Sequence, residues 1–168
     1  MLTAATNVQG QSLYTAFGNK DALFHTALAA YCHRQIDGLA DAAASAATAW
    51  EAAVAIALYQ DPGRLGLRPW GCMLARAVAE RGRRDQRVRE LAARTYTATV
   101  EALRAHMDRA LQRGEIAPII PLAELVEAGY AYSQAMAQLR ATAPDDAAFE
   151  PSRAHARRAL DALAGLGR

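Results

Sequence analysis

At 168 residues the chain is long enough to bury a sizeable core, and at 52% hydrophobic, with much of that share alanine and few aromatics, it favours helix over strand. The net charge of +2 is too small to decide for or against nucleic acid, and the longest apolar run, AAVAIALY, is far too short to span a bilayer. Two cysteines, Cys32 and Cys72, lack the spacing of a disulfide framework or a metal site, and no secretory leader is legible, so a soluble cytoplasmic protein is expected.

The elements read in order as helices. After a stub at 2–6, the pattern predicts a helix over about 9–17, closed by Gly18. Asn19 is placed to cap the next helix, from about 20 to 44, with Asp21 in its first turn and Leu23, Leu28, Tyr31, Ile36 and Leu39 along it. A third runs over about 47–60, before the loop DPGRLGLRPW, whose prolines and glycines make it the clearest break in the chain. GCMLARAVAERG follows as a short helix. Residues 86–113 form a long amphipathic helix with Val88, Ala92, Tyr96, Val100, Leu103, Met107 and Leu111 stepping by four and three. Gly114 ends it. Pro121 opens a helix to about 142, striped by Leu125, Gly129, Tyr132, Met136 and Leu139, and a last one covers about 146–165 with Phe149, Leu160 and Leu163. No run reads as a strand; the expected class is all-α.

The informative stretch is NVQGQSLYTAFGNKDALF, residues 7–24. On its helix Leu13 and Phe17 stand four apart and share an inward face, while Gln9, Gly10, Gln11, Ser12, Tyr14 and Thr15 fall elsewhere. A short, polar, uncharged helix can enter a DNA major groove, where Gln and Ser donate to and accept from base edges. The start of the following helix offers backbone N–H groups and Lys20, the one lysine in the chain, to a phosphate. Periodicity alone favours a small bundle helix with a solvated face, since short polar-faced helices are common.

These residues resemble the end of the DNA-binding domain of the TetR (tetracycline-repressor-like) regulators, whose helix-turn-helix closes in S-L-Y-x-x-F-x-x-K-x-x-L-[FL]. Ser12, Leu13, Tyr14, Phe17, Lys20, Leu23 and Phe24 match that pattern at its own spacing. GCMLARAVAE resembles a segment of the ligand-binding domain of such proteins. The resemblance implies an incomplete helix-turn-helix head over 1–24, its connecting helix continuing to about 44, and a ligand-binding and dimerisation bundle over 25–168. It implies contact with operator DNA through Gln9, Gly10, Gln11, Ser12, Tyr14, Thr15 and Lys20. It further implies a homodimer through the last two helices and a small hydrophobic or amphipathic ligand that releases a repressor. The family's first helix has no counterpart here, so a second expectation is a ligand-binding dimer without DNA binding. The head is also neutral, since Lys20 and Asp21 are the only charges in residues 1–24.

Elsewhere the simpler reading prevails. ERGRRDQRVRE (80–90) reads as a solvated helix junction with local ion pairs rather than a nucleic-acid contact. Trp50, Tyr59, Trp70, Met73, Tyr96, Met107 and Tyr130, with Arg76 and Gln134 as polar orienters, are candidate pocket residues by resemblance, though Met and aromatic stripes usually serve as core. The four histidines are scattered, Cys32 and His33 point to different helix faces, and no glycine-rich phosphate loop is present. No cofactor, metal, membrane partner or enzymatic activity is expected.

Overall fold

The computed structural model describes residues 10–59 and 72–166, and it is all-helical there. Helix α1 spans Gly10–Phe17. Gly18 ends it in the left-handed region, at φ 80°. The Asn19 side chain then accepts the Ala22 N–H at 2.8 Å, opening α2 over Lys20–Ala44. Thr48 caps α3, Ala49–Ala57, by accepting the Glu51 N–H, while the Glu51 carboxylate reaches back to the Ala47 N–H. Helix α4 covers Met73–Arg81, and α5 covers Gln86–Gln112 with Asp85 as its cap. Helix α6 spans Leu122–Thr142, starting one residue after Pro121, and α7 spans Asp146–Leu163, capped by Asp145.

Apart from Glu51 in its first turn, helix α3 is apolar and is the inner element, packed against α2, α5 and α6. Trp50, Ile56, Leu103, Met107, Leu125 and Leu160 meet in this core, each large side chain contributing about 1.5–3 kcal/mol through burial. A smaller cluster joins α2, α4 and α5 through Leu28, Cys32, Leu74, Ala77 and Val88. Gly129 lets α5 and α6 approach closely, since a Cβ there would stand 3.1 Å from Met107 Cε. The connection after α5 folds back along the end of α7, where the Ala117 and Ile119 N–H groups donate to Ala164 and Leu163.

Three expected stripes depart from the structure. Leu111 is 44% exposed because its four-residue step from Met107 overshoots a helical turn by about 40°, and Leu139 is 40% exposed because its three-residue step from Met136 falls about 60° short of one. Thr99 and Ala110 fill the α5 face instead. Phe17, expected inside, is 36% exposed: among the described helices α1 packs chiefly on α2, which covers one side of it. Leu13's side chain lies outside the described residues. No described helix is long and apolar enough to cross a membrane.

Candidate functional site

The first turn of α2 is the junction of the molecule. Lys20, its first residue, is exposed. Asp21 follows and bonds the Arg81 guanidinium at the end of α4. One turn on, His25 places Nε2 2.7 Å from Oδ2 of Asp85, the cap of α5, and its Nδ1 3.5 Å from Asp21. Arg81 lies over the Phe24 ring at 4.4 Å and reaches Asp85 through Nε at 3.5 Å. Asp85 also accepts the Val88 N–H that opens α5, and the Arg89 guanidinium donates to the Gly82 carbonyl within the same turn. Four charged or ionisable side chains thus hold α2 against both helices of the α4–α5 turn.

The electrostatics favour the charged forms of Asp21, Arg81 and Asp85. The Arg81 hydrogen bond holds the Asp21 carboxyl below the usual carboxylate value, against the opposing effect of desolvation. At Asp85 desolvation acts upward, yet the hydrogen bonds from His25 and the Val88 N–H outweigh it and leave the carboxyl lowered. The Asp21 bond also raises the affinity of Arg81 for its proton. Beside these groups opens a cleft of about 870 Å³ whose walls include Asp21, His25, Arg81, Arg84, Asp85 and Arg87. The 80–90 run therefore pairs across the fold, with Asp21 and His25 sixty residues away, as well as locally as its spacing suggested. An aspartate directly ahead of the helix at 86 is the signal that could have marked Asp85 as a cap, while nothing in the spacing pointed to His25 as its partner.

The expected DNA-reading residues fall on α1 and the start of α2. Ser12, Thr15 and Lys20 are exposed there. Gly10, Gln11 and Tyr14 belong to α1, their side chains lying outside the described residues, as does Gln9 altogether. The pocket candidates do not converge on one cavity among the described residues. Trp50 and Met107 are fully packed core; the Trp50 indole N–H donates to Asp161 at 2.7 Å and its backbone N–H to Glu115 at 2.8 Å. Tyr59 lies half-buried against Gly38, and Met73 packs on the smaller cluster. Tyr96 and Tyr130 stand edge to face, ring centres 4.8 Å apart, with the Tyr96 hydroxyl 3.4 Å from Glu127. Burial first, then the neighbouring Tyr96, pushes the Tyr130 phenol upward. Arg76 and Gln134 are exposed, and Trp70 lies outside the described residues. A separate cavity of about 320 Å³ between α2 and α5 is lined by Cys32, His33, Ile36, Leu91, Arg94 and Thr95 among others. Burial raises the Cys32 thiol, which leaves it mostly protonated. No three described His, Cys, Asp or Glu side chains are arranged to hold a metal ion.

The described helices thus form a bundle to which the long α2 is held, with the short α1 abutting it. The model of the family described as "Tetracyclin repressor-like, C-terminal domain" matches residues 58–160, and the chain belongs to the TetR family. That match takes in α4, α5, α6 and most of α7, and excludes the α1–α2 segment that carries the DNA-reading pattern. No curated protein and no solved structure matches the chain.

Proposed function

We propose that this TetR-family regulator is a repressor that leaves operator DNA when a small hydrophobic or amphipathic ligand enters its bundle. Residues 1–24 act as the reading head, with Gln9, Gly10, Gln11, Ser12, Tyr14 and Thr15 at base edges and Lys20 on phosphate. Residues 25–168 bind the ligand and dimerise. The observation that carries this reading is the junction itself. Asp21–Arg81 and His25–Asp85 tie the helix that directly follows the head to the α4–α5 turn, inside the segment matched by the family's C-terminal domain. A ligand that binds better when this turn is displaced shifts the head with it, and that differential affinity sets the limit of the coupling.

The candidate ligand contacts that the family resemblance offers, Tyr59, Met73, Arg76, Tyr96, Tyr130 and Gln134, line no single cavity among the described residues, and Trp50 and Met107 stand as packed core beneath them. Dimerisation through α6 and α7 is supported by Ala131, Ala135 and Leu139, which follow one another at four-residue steps and are exposed in the single chain. A two-fold pair is what a palindromic operator requires.

The test is fluorescence anisotropy of the full chain with a labelled duplex from upstream of its own gene. Salt-sensitive binding is expected, weakened about tenfold or more by Tyr14→Ala and by Lys20→Ala, in line with the 1–3 kcal/mol carried by a good contact. Undiminished binding by both variants overturns the head assignment. Light scattering that shows a monomer overturns the dimer.

A further inference from the structure

The basic run at the α4–α5 turn is not absorbed by the junction. Arg81 is taken by Asp21 and Asp85, and Arg89 by the Gly82 carbonyl. Arg83, Arg84 and Arg87 are exposed and make no ion pair or hydrogen bond with any described residue. Of the three acidic residues in 80–90, Asp85 is committed to His25, Arg81 and the α5 cap, Glu90 accepts from Gln86 at 2.8 Å, and Glu80 is exposed beside the arginines and offsets one of their charges. Three free guanidinium groups therefore share one turn, and that turn stands one side-chain pair away from Lys20, since Asp21 beside it is the residue that Arg81 holds.

We propose that Arg83, Arg84 and Arg87 form a second phosphate-binding surface for the same DNA duplex, flanking Lys20. This rests on the regulator reading above. The DNA-reading pattern at residues 7–24 carries no net charge, whereas most non-specific duplex affinity comes from cations placed against phosphates. The turn supplies an excess of two positive charges over 80–90. Arginine forks match phosphate oxygens in two-pronged geometry, and such contacts fix register without reading sequence. Phosphates recur about every 3.4 Å along each strand, so a duplex resting on Lys20 offers further phosphates beside it. The surface adds affinity evenly across sequences, and the helix before it supplies the discrimination. Because the turn is latched to α2, a ligand that moves the turn displaces both phosphate contacts together.

The experiment uses the full chain, the labelled upstream duplex and a scrambled duplex of equal composition, titrated from about 50 to about 200 mM KCl. The triple variant Arg83→Gln, Arg84→Gln, Arg87→Gln is expected to weaken both duplexes by about tenfold or more. It should flatten the slope of log affinity against log salt by about 2–3 per chain, and leave the ratio between the duplexes unchanged. Arg87→Glu alone should shift both quantities in the same direction, and serves if the triple variant unfolds; circular dichroism checks the fold of each. Unchanged affinity and slope, with Lys20→Ala still weakening binding, overturns this surface while the regulator reading stands. If the wild-type chain binds neither duplex, both fall. If the triple variant loses binding to anionic phospholipid vesicles but not to either duplex, the surface faces a membrane and the proposal is overturned.

Discussion

Replacing Trp50 with phenylalanine tests whether this residue is a staple of the bundle rather than a wall open to ligand. Its side chain is 3% exposed, and its indole N–H donates at 2.7 Å to Asp161 on α7, 111 residues away. Trp50→Phe keeps an aromatic ring and leaves the backbone bond to Glu115 untouched, so the loss is confined to the indole. The bond ends on a carboxylate, which argues for the upper range of hydrogen-bond contributions. Asp161 keeps Arg157 at 2.8 Å and some access to water, which lowers its cost to about 1–1.5 kcal/mol. Shrinking a large ring in a closed site adds about 1–2 kcal/mol. The sum of about 3 kcal/mol corresponds to a fall in Tm of about 6–12 °C for a chain of this size. Thermal unfolding followed at 222 nm, at one fixed protein concentration because dimerisation would move Tm, measures it. A double-mutant cycle with Asp161→Ala should give a coupling of about 1 kcal/mol. A Tm loss below about 2 °C together with no coupling refutes the staple and returns Trp50 to the pocket wall.

Two further predictions concern the junction and the chain reversals. Asp21 has a folded carboxyl value below its ordinary 3.8, so its contribution to stability is complete above that value and is lost as pH falls through the lower, folded one. The difference in urea midpoint between wild type and Asp21→Asn should therefore be present at neutral pH and close in acid below 3.8; a difference that persists there contradicts the ion pair. Gly18 and Gly165 both hold left-handed φ, 80° and 81°, but a Cβ at Gly18 meets nothing within 4 Å, whereas one at Gly165 would stand 2.1 Å from the Ala117 carbonyl oxygen. Gly18→Ala should cost about 1–2 kcal/mol for the backbone conformation, and Gly165→Ala clearly more, because rigid backbone must also move. Equal Tm losses would show that the connection after α5 does not lie against the end of α7.

What could be read along the chain was whatever depends on near neighbours. Gly18 and Asn19 mark the α1–α2 break because left-handed backbone and a side-chain acceptor are properties of those residues themselves, and the structure puts the boundary there. The all-α class follows equally from composition and period. The long stripes were legible where Leu103 and Met107 are buried, and failed at Leu111, where a step of four overshoots a turn, and at Leu139, where a step of three falls short of one. Tyr96 shows another limit: it sits within the α5 stripe yet remains 41% exposed, because its ring rests on Tyr130 and its hydroxyl turns outward to Glu127.

The partner of each face was decided only by the tertiary fold. Periodicity states which side of α2 is turned inward, but not that His25 would meet Asp85 or that Asp21 would meet Arg81, since nothing local couples residues sixty positions apart. The same holds for Trp50 and Asp161. Helix content, caps and the DNA-reading pattern were therefore determined by the sequence itself, through interactions that span a turn or two. Which arginines of the 80–90 run are spent in the junction and which remain free was decided by packing, because that depends on where α4 and α5 come to rest against α2.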